Sequence, residues 1–219
     1  MKRFDLLIFD WDGTLADSLG QIVRAMQIAI AELGWEPRSD LDVGQLIGLG
    51  LADGMRRLYP GSGKAEINEL LGCFRQQWLT LGTGQAEAPL FVGADDVLQA
   101  LHQQGYCLTI ATGKSRKGLN RALVWHSAIR ELFVATRTAD ETADKPNPKM
   151  LTELLAELEV PASRALMIGD TEYDVQMASA IGMPALGVIS GTHDAGRLKD
   201  AGALAVVESV LDLPSWLHR

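Results

Sequence analysis

The sequence predicts an α/β fold: a parallel sheet core with helices on both faces, plus an inserted small all-helical cap domain. Three observations carry that prediction. From Ala94 onward, apolar strand-like runs alternate with stretches of helical periodicity, the pattern of a parallel sheet covered on both faces. A further apolar run, Leu6-Leu7-Ile8-Phe9, stands alone near the start of the chain. Between the two, from about Ala16 to Gly84, the only periodicity is helical. An all-helical stretch does not fit the alternation, so it reads as an insertion between the first and second core strands. The expected division is a core of residues 1–15 and 85–219 and a helical cap of residues 16–84.

Leu6–Phe9 is the first strand, since four consecutive apolar residues suit a strand buried on both faces. From about Asp17 to Leu33 a helix is expected, because Ile22, Val23, Met26, Ala29, Ile30 and Leu33 recur at helical spacing. Asp17 or Ser18 suits its start as a cap, and Gly34 its stop. Two further helices are expected at Val43–Leu58 and Ala65–Leu81, divided by Tyr59-Pro60-Gly61-Ser62-Gly63. After Ala94 the expected order is a helix to about Gln104, a strand Tyr106–Ala111 and a helix Ser115–Trp125. A short strand Leu132–Ala135 follows, then a helix Pro148–Leu158 with proline near its first turn. Ala165–Ile168 is a strand, Val175–Ile181 lies in a helix, and Ala185–Val188 is a strand. A last pair lies around Leu204–Val207 and Val210–Trp216. There is no internal repeat and no low-complexity segment.

Composition narrows the function classes. A chain of 219 residues, 47% hydrophobic and 22% charged, can bury one sizeable core or a core plus a small second domain. A net charge of −8 argues against a general nucleic-acid or anionic-membrane surface, either of which wants basic patches. It leaves an anionic substrate open, because a local cation reverses the field inside a site. No apolar run approaches the roughly 20 residues that span a bilayer. Met1-Lys2-Arg3-Phe4-Asp5 runs straight into the first strand and leaves no room for a cleavable signal, so a cytoplasmic protein is expected. Cys73 and Cys107 suggest neither a disulfide framework nor a metal knuckle, and Cys107 is expected as a small core residue.

Four features fall at the C-terminal ends of predicted strands, the edge where open α/β sheets bind ligands. Asp10-Trp11-Asp12-Gly13-Thr14 closes the first strand, and residues two apart on a strand share a face. Asp10 and Asp12 can therefore converge on one reacting group or one cation, although acidic residues after a strand are also common without chemistry. Thr112-Gly113 offers a hydroxyl and an unhindered N–H to a phosphate oxygen, or is an ordinary turn. Asp144-Lys145-Pro146-Asn147-Pro148 holds a lysine in a proline-stiffened loop, where its ammonium would neutralise a phosphoryl group or a carboxylate, unless it is simply solvated. In Gly169-Asp170-Thr171-Glu172-Tyr173-Asp174, two carboxylates four apart flank a helix start. They suit Mg²⁺, which binds through a few carboxylates plus substrate phosphate, while Asp170 or Thr171 equally suits helix capping.

Taken together, in this order and on one sheet edge, the four features resemble those of the haloacid-dehalogenase-like hydrolase superfamily, in particular its phosphatases. Phe4–Leu15 and Ala94–Val207 look like its Rossmann-like core, and the insertion after Asp12 looks like its helical cap. The resemblance implies Asp10 as nucleophile and Asp12 as general acid/base. It implies Thr112 and Gly113 as ligands of the transferring phosphoryl group, with Lys145 stabilising both nucleophile and phosphate. It implies an Mg²⁺ site from Asp10, Asp170 and Asp12, the last through its backbone carbonyl, supported by Asp174. The helical insertion and Ala111-Thr112-Gly113-Lys114-Ser115 look closest to phosphoglycolate-phosphatase-like proteins. Two positions depart from the pattern. Many such relatives carry Asn where Gly113 stands, and Trp11 is bulkier than the usual aliphatic residue, with its side chain expected on the opposite face.

The expected function is thus an Mg²⁺-dependent phosphatase acting on a small phosphorylated metabolite, 2-phosphoglycolate among the candidates, through an aspartyl-phosphate. A phosphomutase of the β-phosphoglucomutase type and a phosphometabolite-binding protein with little turnover are the alternatives. The expected partner is a small phosphate ester, not nucleic acid or membrane, and the expected state is a monomer, with a homodimer open. Other motifs lead elsewhere or nowhere. Gly113-Lys114-Ser115 lacks the glycine five residues upstream that a P-loop needs, Leu108 standing there. Gly48, Gly50 and Gly54 have the wrong spacing for a dinucleotide fingerprint; they would let the cap approach substrate closely or serve packing alone. His102, His126, His193 and His218 have no metal-ligand spacing and read as surface or locally bonded residues.

Overall fold

A computed structural model describes residues 2–81 and 87–218. Near the start of the chain stand β1 (Leu6–Phe9), α1 (Leu19–Glu32), α2 (Asp40–Gly44), α3 (Leu51–Leu58) and α4 (Lys64–Leu81). Next come α5 (Ala94–Gln103), β2 (Cys107–Thr112), α6 (Arg116–Trp125), α7 (Ser127–Arg130), β3 (Phe133–Thr138) and α8 (Lys149–Leu158). The chain closes with β4 (Ala165–Gly169), α9 (Glu172–Ser179), β5 (Ala185–Val188), α10 (Ala195–Asp200), β6 (Ala205–Val207) and α11 (Leu213–Leu217). The boundary drawn between residues 84 and 85 lies outside the described residues.

All six strands pair in parallel in the order β3-β2-β1-β4-β5-β6. β1 is central, with Leu6 opposite Cys107 on one side and Ala165 on the other. The chain builds outward from β1 to β3, then returns to lay β4 on the other flank. The C-terminal ends of β1, β2 and β4 therefore surround the crevice where the strand order reverses.

The pleat sorts the apolar residues of β1 to two cores. Leu7 and Phe9 face α5, α6, α7 and α11, while Leu6 and Ile8 face α8, α9 and α10. Each of these four side chains is buried, a gain of about 1.5–3 kcal/mol apiece over exposure. A third apolar cluster joins α1, α2, α3 and α4 through Met26, Ile30, Val43, Met55, Leu70, Phe74 and Trp78. No helix among the described residues is long and apolar enough to cross a membrane.

Several sequence expectations need correction. The helix expected over Val43–Leu58 is two helices, because the chain leaves helical geometry after Gly44 and re-enters it at Leu51. Val43, Leu46, Ile47, Leu51, Met55 and Leu58 keep a helix-like spacing through this break, so periodicity alone runs the two together. Gly48 sits within the break at φ +100°, a conformation that favours glycine. Ser18 occupies the position before α1 without capping it; its hydroxyl turns instead to Asp12. The helix α10 between β5 and β6 was not expected, being only six residues with one buried apolar side chain, Leu198. Cys107 is half-buried at the start of β2 rather than enclosed in the core.

Candidate active site

The site assembles at the crevice beside β1. Asp10 follows the last residue of that strand, and its backbone N–H donates to the Ile168 carbonyl at 2.9 Å, extending the ladder and fixing where its side chain emerges. The carboxylate is buried. Its Oδ1 lies 2.7 Å from the Lys145 ammonium, which reaches in from the loop before α8, whereas Oδ2 has no hydrogen-bond donor. Lys145 also lies 2.6 Å from Asp174 Oδ1, so one enclosed ammonium bridges two enclosed carboxylates.

Asp170, just beyond β4, is held from both sides. Its Oδ1 accepts from the Thr14 hydroxyl at 2.9 Å and its Oδ2 from the Thr192 N–H at 3.0 Å. Asp174 lies in the first turn of α9, where Oδ2 accepts from the N–H and hydroxyl of Thr171 at 3.2 and 2.6 Å. Asp174 thus braces the Thr171 cap of α9 with one oxygen and meets Lys145 with the other. Asp10, Asp170 and Asp174 each present an oxygen within 4.8 Å of the others.

Three carboxylates around one ammonium leave a deficit of positive charge in a site from which water is excluded. Burial, chiefly, pushes Asp10 up to about 7 against the pull of Lys145, with Asp174 adding to the rise. Burial and the charges of Asp10 and Asp174 likewise raise Asp170 well above the usual carboxylate range. Burial alone would lower Lys145, but its two carboxylate partners outweigh that and raise it. The ammonium thus stays charged, and Asp10 and Asp170 give up their protons less readily than free carboxyls do. Hard oxygen donors, a buried carboxylate oxygen without a donor and this charge deficit all fit a divalent cation.

Asp12 stands apart from that cluster. Its carboxylate accepts from Lys114 Nζ at 2.9 and 3.0 Å and from the Ser18 hydroxyl at 2.6 Å. Trp11 turns to the opposite side, into the core beside the His126 ring. Thr112 ends β2 with its hydroxyl accepting the Lys114 N–H at 3.2 Å, and Gly113 follows.

The glycines explain how α1–α4 meet this edge. A Cβ on Gly113 would lie 2.8 Å from the Leu49 carbonyl oxygen and 3.1 Å from that of Gly48. A Cβ on Gly50 would overlap the Asp144 carboxylate, and one on Gly48 would sit 2.6 Å from Thr171 Cγ2. The break between α2 and α3 is therefore pressed against three loops of the sheet edge, and Gly113 leaves the space that an asparagine would take. Gly54, by contrast, makes only ordinary packing contact with Leu46. A cavity of about 590 Å³ opens from Asp10, Asp12 and Thr112 into the space between α1, α3 and α4.

Sequence reasoning missed the residues that hold Asp170. In the loop after β5, Thr192, Gly191 and the His193 backbone N–H, which donates to the Asp170 carbonyl at 3.3 Å, touch the site; a Cβ on Gly191 would overlap Asp170, and Ser190 donates to the Gly13 carbonyl at 2.9 Å. Gly13, at φ +80°, would likewise place a Cβ 2.4 Å from Asp170 Oδ2. The pairing of Lys114 with Asp12 was also missed. His193 is neither at the surface nor bonded only locally: it is buried, its Nδ1 accepts the Glu172 N–H at 2.9 Å, its Nε2 lies 3.4 Å from the Gln45 carbonyl oxygen, and its ring meets Tyr173 edge-on. Burial, with the nearby Arg197, lowers its pKa, which keeps Nδ1 an acceptor.

The chain is similar to several known proteins. The family model described as haloacid dehalogenase-like hydrolase matches residues 7–188. A protein of Dickeya dadantii named "Probable phosphatase IndB" is 32% identical over 97% of this chain and 93% of its own length. A phosphoglycolate phosphatase of Rhodospirillum rubrum is 31% identical over 96% of this chain and 90% of its own. The crystal structure of a hydrolase from Pseudomonas syringae superposes with a TM-score of 0.87 at 26% identity, covering 97% of both chains.

Proposed function

The chain belongs to the haloacid dehalogenase-like hydrolase family and is a phosphatase, and from that premise we propose that it hydrolyses a small phosphorylated metabolite in an Mg²⁺-dependent reaction that passes through a phosphoryl group on Asp10. The observation that carries this reading is the state of Asp10. It is buried at the crevice, one oxygen is pinned by Lys145, and the other has no donor.

Asp10, Asp170 and the backbone carbonyl of Asp12 would hold the Mg²⁺, with Asp174 in support, and the charge neutralisation it supplies lets a carboxylate approach a phosphate dianion. Lys145 orients Asp10 and neutralises part of the transferring group, while the Thr112 hydroxyl and the Gly113 N–H take phosphoryl oxygens. Asp10 attacks phosphorus, the ester P–O bond breaks, and the departing oxygen takes a proton from Asp12. Asp12, now a carboxylate, takes a proton from a water that attacks the phosphoryl group; the bond to Asp10 breaks and inorganic phosphate leaves. The Ser18 hydroxyl and Lys114 hold Asp12 in place between these steps. Residues 16–84 act as a cap that excludes bulk water and contacts the leaving group.

Phosphate release from a panel of esters, with Mg²⁺ or EDTA, tests this reading. The panel holds 2-phosphoglycolate, after the activity named for several relatives, with sugar phosphates, nucleoside monophosphates and an aryl phosphate. Metal-dependent release, lost in folded Asp10→Asn and needing no bisphosphate activator, is the expected result. More than a few per cent activity in that variant would remove Asp10 as nucleophile.

A further inference from the structure

The cavity that begins at Asp10 and Asp12 ends in an apolar wall. Ile22 and Met26 of α1, Leu46 of the break, Met55 of α3, and Phe74 and Trp78 of α4 line it. The cations among the described lining residues are placed where they do little for a second negative charge on a substrate. Lys114 is engaged by Asp12 and lies 5.0 Å from the Trp78 ring centre. Arg121 is paired with Glu87, and Arg75 and Lys117 are exposed, at the rim. Further closure would not erase this space, because residues 48–50 already press on Gly113, Asp144 and Thr171.

Resting on the phosphatase reading of the same site, we propose that the preferred substrate is a phosphate monoester whose leaving group is an uncharged apolar chain or ring of several carbons. A volume of about 590 Å³ lies in the range of pockets that enclose whole small molecules, and a two-carbon leaving group would leave most of that space unfilled. Each methylene taken into the wall favours binding by about fourfold. A carboxylate carried to the same place would lose hydration, and could gain a partner only by drawing Lys114 away from Asp12. The exposed Arg75 and Lys117 serve the phosphate on its way in, by attraction at the rim.

The test is a series of n-alkyl phosphates from ethyl to hexyl, whose leaving alcohols differ little in acidity, assayed with 2-phosphoglycolate on the Mg²⁺-loaded wild-type protein. We expect kcat/KM to rise about threefold to fourfold per added methylene until the cavity fills, with butyl phosphate overtaking 2-phosphoglycolate. A flat or falling series, or 2-phosphoglycolate faster than every alkyl ester, would overturn the proposal and leave the phosphatase reading standing. Binding of non-hydrolysable hexylphosphonate and phosphonoacetate, measured by calorimetry, decides the point independently of turnover. Hexylphosphonate binding about tenfold tighter or more supports the apolar wall, and equal or reversed affinities reject it. Absence of phosphate release from every ester would instead remove the phosphatase reading, with the phosphonate comparison still judging the wall.

Discussion

Replacing Lys145 by methionine tests the electrostatic account of the site most directly. The ammonium lies 2.7 Å from Asp10 and 2.6 Å from Asp174, all three groups enclosed, and Asp170 belongs to the same carboxylate cluster. Methionine keeps most of the volume and removes the charge, leaving three buried carboxylates with no cation among them. Removing one partner of a buried pair costs about 3–5 kcal/mol, because the other charge stays buried and uncompensated. At about 2–4 °C per kcal/mol for a chain of this size, the melting temperature should fall by about 10 °C in EDTA at pH 8. The pH dependence fixes the sign. Asp10 has a folded-state pKa of about 7, above its ordinary 3.8, so between those values the folded protein binds more protons than the unfolded one. Stability from this group therefore falls as pH rises through that window, and losing the ammonium raises the carboxylate pKa values further. The deficit of Lys145→Met should be small at pH 5 and large at pH 8. Adding Asp174→Asn should recover part of it by removing one of the repelling charges. Calorimetric melts of the three proteins across pH 5–8 are the assay. A shift of under about 2 °C at pH 8, or a deficit larger at pH 5 than at pH 8, would refute the reasoning.

Three further perturbations follow from the same geometry. Asp10→Asn in EDTA should be more stable than the wild type by a margin that grows from pH 5 to pH 8, because it removes a carboxylate that burial opposes; parallel stability curves would contradict this. Gly113→Asn places a Cβ 2.8 Å from the Leu49 carbonyl oxygen, so it should cost about 1–3 kcal/mol and speed hydrogen exchange at residues 46–50. Unchanged exchange there would show that the α2–α3 break does not press on the sheet edge. Lys114→Met removes the cation holding the largely buried Asp12 and should lower kcat about tenfold or more along with some stability, Lys114→Arg restoring part of both; an unchanged kcat would separate Lys114 from the proton-transfer step.

Much of this architecture was legible because it depends on local chemistry. β1 and β5 have the bounds expected from their apolar runs, and α1, α5, α6 and α8 lie within two residues of theirs, since periodicity and flanking glycine or proline act over a turn or a strand. Asp10, Thr112, Lys145 and Asp170 could be placed on one sheet edge because parallel strands share a direction, which puts every strand's end at the same face. The break between α2 and α3 was not legible. The spacing of Val43, Leu46 and Leu51 favours a continuous helix, and contact with Thr171 and Asp144, about a hundred residues away in sequence, together with the positive φ of Gly48, accounts for glycines at 48 and 50.

The sequence by itself determined the kinds of chemistry available: a pair of aspartates after the first strand, a lysine in a stiffened loop, a second acidic pair at a helix start. Tertiary structure alone decided how those groups divide the work. Thr14 is 156 positions from Asp170 and Thr192 is 22, yet together they occupy both of its oxygens. Lys145 reaches Asp10 and Asp174, while Lys114 takes Asp12 out of the carboxylate cluster. The reason is physical: a carboxylate's protonation, its partners and its need for a cation depend on burial and on charges a few ångströms away, distances that only packing sets.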